Sequence, residues 1–443
     1  MMKDKVRDAA LRFLCDAERD NKYINLALGS ALSAFSDRRD KALFTLLVYG
    51  ITEKSITLDY YISKFSSRPV NELERFTKYI LRLGFYQLVF MHTPSHAAVN
   101  ETVSLARQSG ERGFVNAVLR SYLRAPEVEL PKKEDGLIPY LSVSYSFPEW
   151  MCEGLVHDYG EKCAEEILTA LSKKAPLTIR ANTLRITRDK LIEKFDGYNA
   201  RKTEFSPNGI VIEGDAVPTE LPEFNNGLYM IQDEASQIAA HLLGATPDSV
   251  ACDVCAAPGS KSFAIAMDMQ NRGKLYSFDI HRSKLPLIED GAKRLSIDII
   301  EAGLQNAKQP RSKLKRKVDF LLCDVPCSGL GVAAKKPDIR RKSGEDIDEF
   351  GKTSYEILDA SVSYLKEGGR LVYSTCTLRK DENDNVVLRF LAEHPEFEPE
   401  DFTFTAENGT TLSSKNGMLT IFPQITGGDG FFVSRFRKKV ASV

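Results

Sequence analysis

No apolar run in the 443 residues approaches the roughly 20 that a membrane span requires. The N-terminus, "MMKDKVRDAALRFL", carries charge in its first turns, where a signal peptide would be apolar. A cytoplasmic protein with no membrane partner is therefore expected. Cysteine is sparse: eight in so long a chain without an export signal do not make a disulfide framework. They are either packed small hydrophobes or functional thiols. The single Trp150 and the six scattered histidines lack ligand spacing and are read as structural. Two phosphate-binding fingerprints are also missing. There is no G-x-G-x-x-G, and Ser260 stands where a P-loop needs the glycine before Lys261.

What is present divides the chain. At this length two or three domains are expected, and 43% hydrophobic with 27% charged residues argues against wholesale disorder. The net charge of −1 conceals a basic excess in residues 1–125 and an acidic remainder. That asymmetry fits either a polyanion-binding segment or a helical domain with a solvated basic face. Residues 1–125 read as all-α: "DKVRDAALRFLCDAE", "DKALFTLLVYGITEK", "RFTKYILRLGFYQLVF" and "GFVNAVLRSYLR" carry apolar residues at three- and four-residue spacing. Residues 126–139, with prolines and a charge cluster, read as a linker. Residues 140–228, with strand-like "PLTIRA" and "GIVIEGD", form a small α/β module. Residues 229–443 alternate short apolar runs ("SVACDV", "KLYSFDI", "IDIIEAG", "VDFLLCD", "GRLVYST") with helix-length stretches. This rhythm predicts a Rossmann-like α/β domain, an open parallel sheet wound on both faces. Ligands of such sheets gather at the C-terminal strand ends.

"DVCAAPGSKS" (Asp253 to Ser262) reads as a strand end, a small-residue turn and a helix start, giving free amides and close backbone approach. Asp279, at the end of the next strand, sits where an acid accepts the ribose hydroxyls of a nucleoside cofactor. With the dinucleotide and P-loop patterns absent, S-adenosylmethionine remains.

Cys252–Cys255 is a C-x-x-C and Cys323–Cys327 a C-x-x-x-C, spacings that suit zinc, yet no metal is expected. Cys252 and Cys323 lie inside apolar strand runs, and a C-x-x-C along an extended strand points its side chains to opposite faces. Cys327 in "DVPCSGLG" and Cys376 in "YSTCTL" instead follow strands, at the edge facing the proposed cofactor. Two thiols beside a sulfonium methyl donor suggest pyrimidine C5 methylation. A thiolate adds to C6, C5 becomes enamine-like and takes the methyl, and a base then removes the C5 proton. An acid such as Asp324 at N3 would assist the addition. Chemistry alone leaves open which cysteine attacks.

These motifs resemble those of the NOL1/NOP2/Sun group of RNA cytosine-C5 methyltransferases. "KKPDIRRK", "DEASQIAAHLL" and "DGFFVSRF" resemble the group's flanking segments. The first third, through "LGFYQLVF", "HAAVNETVSLAR" and "FVNAVLRSYLR", resembles a NusB-like RNA-binding domain. That fusion is the arrangement of the family's 16S ribosomal RNA members, and the resemblance spans nearly the whole chain. It implies a 16S rRNA partner, Cys376 as the nucleophile and Cys327 as the thiol that helps release product. It also implies cofactor contacts from Cys255, Ala256, Ala257, Pro258, Gly259, Ser260, Lys261, Asp279 and Asp324, with Lys261 facing the reaction centre. Two positions depart from the pattern. Ser260 replaces a glycine near the methionine end, and Asn306 replaces an Asp at the adenine, whose edge its amide can still bond. Both changes bear on cofactor affinity rather than on reaction type.

Lys336 and Arg340, directly after the "PCSGLG" loop, are expected to contact RNA phosphates beside a flipped target base, whereas "RSKLKRK" reads as a solvated loop. A monomer is expected. The alternatives are a family member acting on transfer RNA or another RNA, and a non-catalytic RNA-binding factor.

Overall fold

A computed structural model describes residues 4–195, 197–214, 217–344 and 347–440. By internal contact the chain forms two compact units. One runs to Ser172 and takes in Lys335–Gly344; the other comprises Lys173–Ala334 and the chain after Gly344. No helix among the described residues is long and apolar enough to cross a membrane.

The first unit is helical among its described residues. Helices Lys5–Arg19, Arg38–Glu53, Arg75–Val89 and Ser109–Arg124 stand where the apolar spacing predicts them. Asp4 caps the first, accepting the Val6 and Arg7 N–H groups at 3.0 Å. The buried side of that helix (Val6, Ala10, Leu11, Leu14, Ala17) joins Phe44, Leu47, Ile51, Ile80 and Leu83 in one core. Helices Leu137–Tyr145, Glu149–Tyr159 and Glu161–Leu171, spanning the end of the expected linker and the start of the expected small α/β module, belong to this unit. One reason is visible at Ser146. Its Oγ accepts the Ile56 N–H at 3.1 Å, at the start of helix Ser55–Phe65, whose own N-cap position is Lys54.

The short 3₁₀ segment Pro337–Arg341 completes the unit and corrects an expectation. Arg340, expected at RNA phosphates, is only 5% exposed. Its Nη1 donates to the carbonyls of Glu53 (2.7 Å), Tyr145 (3.2 Å) and Ser146 (3.4 Å), and its Nη2 to that of Leu171 (3.1 Å). Glu53, Tyr145 and Leu171 each end a helix, so one guanidinium meets three negative helix ends. Two residues earlier, Asp338 accepts the Ile24 N–H at 3.0 Å, capping helix Ile24–Leu32, whose Tyr23 offers no side-chain cap. A side chain so engaged is not available to a phosphate. Lys336 remains exposed.

The second unit begins with β1 (Leu177–Ala181), β2 (Ala200–Lys202), β3 (Gly209–Ile212) and β4 (Tyr229–Ile231), an antiparallel sheet ordered β2-β3-β1-β4. Next come β5 (Val250–Asp253), β6 (Lys274–Asp279), β7 (Ile300–Leu304), β8 (Val318–Asp324) and β9 (Leu365–Thr375), parallel and ordered β7-β6-β5-β8-β9. The strand order reverses between β5 and β8, which opens a crevice at their C-terminal ends. Alternate residues face opposite layers. Ala251, Leu322 and Val372 pack with Ala264 and Ile288 on one face; Cys252, Leu321, Cys323, Leu371 and Tyr373 pack with Leu358 and Phe390 on the other.

The remaining strands are β10 (Phe397–Pro399), β11 (Thr403–Thr405), β12 (Thr411–Ser413), β13 (Met418–Ile421) and β14 (Phe431–Lys438). β14 runs antiparallel beside β9 and carries β10 and β13, so the sheet is mixed rather than purely parallel. β11 and β12 pair separately.

Candidate active site

Each element of the crevice ends in a residue with chemistry to offer. After β5 the chain turns through Cys255–Gly259 into helix Ser260–Asp268. Gly259 adopts a φ of 110°, a left-handed conformation that suits glycine, and the helix start has no side-chain cap. Ser260 follows, its carbonyl accepting Gln232 Nε2 at 3.1 Å. Asp279, at the end of β6, accepts the Ala257 N–H at 3.3 Å and the His281 N–H at 2.8 Å, which fixes the carboxylate against the turn. Asn306, just past β7, uses its Oδ1 to accept the Lys308 N–H at 3.0 Å.

The reactive groups cluster where β5, β8 and β9 end. Lys261 Nζ lies 2.8 Å from Asp324 Oδ2, and the second oxygen of Asp324 accepts Ser374 Oγ at 2.7 Å. The β8–β9 register places Asp324 opposite Ser374, so this bond follows from the sheet itself. Burial works to lower the pKa of Lys261, but the Asp324 carboxylate outweighs it and holds the ammonium above its ordinary value, with Cys376 adding in the same direction. Cys327 Sγ and Cys376 Sγ are 3.3 Å apart. The hydrogen bond to Cys376, followed by burial and by the charges of Cys376 and Glu382, pushes the Cys327 thiol well up. Lys261, Asp324, Cys327 and Cys376 are thus brought together; Lys336 and Arg340 belong to the helical unit.

Other groups at the site were not singled out from sequence. Asp253 is buried, with its carboxyl pushed up to about 7 by burial; its oxygens accept Ser262 Oγ at 2.7 Å and the Cys255 N–H at 3.4 Å. Glu382 and Asn383 bond the residues that flank both cysteines. The only signal for them was the polar run "RKDEND" after the second cysteine, which resembles any solvated turn. No group of His, Cys, Asp and Glu able to hold a metal occurs among the described residues. Cys252 and Cys323 are buried in the apolar layer as expected. Cys255 packs against that same layer rather than the opposite face, because the chain leaves the strand after Asp253.

Three family models match: 16S rRNA methyltransferase RsmB/F over residues 240–437, the NusB family over residues 4–124, and an RsmF/B-like ferredoxin-like domain over residues 147–219. A probable ribosomal RNA small subunit methyltransferase B of Bacillus subtilis is 35% identical, the match covering 99% of this chain and all of that one. The chain belongs to the RsmB/F methyltransferase family. The ribosomal RNA small subunit methyltransferase B of Citrobacter koseri is 30% identical, over 99% of this chain and all of that one. Among solved structures, the crystal structure of PH0851 shares the fold of this chain, with a TM-score of 0.82 and 24% identity over 99% of this chain and all of that one. NSun6 from Pyrococcus horikoshii with SFG matches over 67% of this chain and all of that one, with a TM-score of 0.58 and 21% identity.

Proposed function

We propose that this protein transfers a methyl group from S-adenosylmethionine to C5 of a cytosine in 16S ribosomal RNA, through a covalent bond between Cys376 and C6 of the base. The observation that carries the reading is the pair of thiols 3.3 Å apart at the ends of adjacent strands, beside the Lys261–Asp324 ion pair. The names of the relatives supply the RNA.

The cofactor residues fit the group expected of them. The uncapped start of helix Ser260–Asp268 suits a carboxylate, the fixed carboxylate of Asp279 suits a ribose diol, and the amide of Asn306 suits the adenine edge. Cys255, Ala256, Ala257, Pro258, Gly259 and Ser260 form the turn that would hold the methionine end. When bound, S-adenosylmethionine supplies an electrophilic methyl group. The chain's own residues perform the rest. Cys376, acted on by the Lys261 ammonium and by the Cys327 thiol, is the sulfur that attacks C6. Asp324, hydrogen-bonded by Lys261, receives a proton from it and presents that proton to N3 as the ring gains charge. Once C5 carries the methyl group, its proton passes to the Lys261 amine left by the protonation of N3, the C5–C6 double bond re-forms as the electrons of the C6–S bond return to Cys376, and the N3 proton leaves through Asp324. Cys327, in contact with that sulfur, is placed to protonate it. The exposed Lys336 is proposed as a phosphate contact.

The test incubates the purified protein with S-adenosylmethionine and unmodified 16S RNA and scores 5-methylcytosine by mass spectrometry. Formation of 5-methylcytosine supports the reading. Its absence, with cofactor binding intact by calorimetry, sinks the ribosomal assignment in favour of another RNA or a binding factor.

A further inference from the structure

The two cysteine loops are fastened together by a third stretch of chain. Glu382 is buried, at 1% exposure, and its Oε2 accepts the N–H of Ser328, the residue after Cys327, at 2.7 Å. Ser328 Oγ lies 2.6 Å from Oγ1 of Thr377, the residue after Cys376. Thr375 Oγ1, on the other side of Cys376, donates to Asn383 Oδ1 at 2.6 Å, and Asn383 Nδ2 donates to the Thr377 carbonyl at 3.0 Å. The Tyr373 hydroxyl donates to the Glu382 carbonyl at 2.5 Å, pinning the turn to β9. The arrangement is electrostatically lopsided. A cation, Lys261, acts on Cys376, while an anion, Glu382, acts on Cys327.

We propose that Glu382 is a positioning residue that locks the Cys327 loop onto the Cys376 loop and makes Cys327 the member of the pair that keeps its proton. The inference deepens the cytosine-C5 reading and rests on it for its catalytic meaning: the thiol that stays protonated is the one able to release the other from the base. Among the described residues, titratable groups that bear on Cys327 include Cys376 and Tyr373 from β9 and its loop and Glu382 from the following turn. Helix Asp348–Ser361 contributes the neutral Ser354, bonded to the Pro326 carbonyl, and Asp324 is already paired with Lys261. Glu382 is therefore a fixed charge that acts on one thiol of the pair, while Lys261 acts on the other.

The test needs neither RNA nor cofactor, so it stays readable if the RNA assignment fails. In a Cys376→Ser background, iodoacetamide labelling of Cys327 is followed against pH by peptide mass spectrometry, with and without Glu382→Gln. The glutamine oxygen can still accept the Ser328 N–H, so the loop is held while the charge is removed. The labelling midpoint is expected to fall by at least about half a pH unit, or about threefold faster labelling at pH 8. A merely structural Glu382 would leave the midpoint unmoved, and that result overturns the proposal. Glu382→Asp, which keeps the charge, is expected to stay within about 0.2 pH unit of the parent. If Glu382→Gln does not fold, a Glu382→Asp midpoint displaced as far as half a unit overturns the proposal in its place.

Discussion

Replacing Arg340 by methionine tests the anchoring of segment Lys335–Gly344 in the helical unit. Methionine keeps an apolar stem against the Phe147 ring, whose centroid lies 4.0 Å from the guanidinium carbon, but removes every donor. Two of the four carbonyl contacts, at 2.7 Å to Glu53 and 3.1 Å to Leu171, lie well within hydrogen-bond range. Each bond to a charged group contributes about 1.5–3 kcal/mol, and losing both leaves helix-end carbonyls in a site closed to water. Burial pushes the Arg340 pKa down to about 10, so the side chain is charged at neutral pH at a desolvation cost that methionine escapes. The balance is a loss of about 3 kcal/mol, or a melting point lower by roughly 6–12 °C for a unit of this size. The assay is built into the chain. Trp150 is its only tryptophan, and the indole N–H donates to the Lys342 carbonyl at 3.2 Å, so thermal unfolding followed by its fluorescence reports on this segment. A fall below about 2 °C, with the salt dependence of RNA binding flattened by about one phosphate contact, would return Arg340 to the phosphate role and refute the anchor.

Three further outcomes follow from the second unit. Asp279→Ala should weaken S-adenosylmethionine binding about 10- to 100-fold by calorimetry, the worth of a charge-assisted hydrogen bond to the ribose; an unchanged affinity would remove Asp279 from the cofactor site. Asp253, with its pKa raised from 3.8 to about 7, keeps in the folded state a proton that the unfolded chain loses near pH 4. Its favourable contribution is therefore complete below pH 3.8 and is lost as pH rises to about 7, by on the order of 4 kcal/mol. Urea unfolding across that window should show this fall in the parent and not in Asp253→Asn. Gly331 donates its N–H to the Cys376 carbonyl at 3.0 Å, and a Cβ there would lie 1.9 Å from the Gly430 carbonyl oxygen, which is backbone. Gly331→Ala should thus lower methylation at least tenfold with cofactor affinity retained; full activity would mean that this loop contact does not hold Cys376 in place.

The strand ends were the part of the fold most readily seen in advance. The runs at β5, β6, β8 and β9 are short, apolar and punctuated by helix-length stretches, and Asp279, Asp324, Cys327 and Cys376 each follow such a run, so the shared edge could be read off the rhythm alone. What the rhythm could not show was where a polar segment is buried. "KKPDIRRK" has the composition of a solvated basic loop, yet Asp338 and Arg340 bury their charges against helix ends formed 169 to 314 residues earlier. Opposite helix ends, not phosphates, are what those charges meet, and sequence spacing carries no record of such long-range partners. Glu382 escaped notice for the same reason, its partner being a backbone N–H on another loop. Residues 140–172, read as the start of the small α/β module, pack by contact with the helices of the first unit, since an apolar helix face does not say which core it joins. Antiparallel β14 was hidden because "FFVSRFRK" suits either strand direction.

The most direct test of the account compares wild type, Cys376→Ala and Cys327→Ala on 16S RNA with S-adenosylmethionine, scoring covalent protein–RNA adduct on a denaturing gel and 5-methylcytosine by mass spectrometry. Cys327→Ala is expected to accumulate adduct, and Cys376→Ala to make neither adduct nor product. Adduct in Cys376→Ala would exchange the roles of the two thiols, and product from Cys376→Ala would contradict the covalent mechanism altogether.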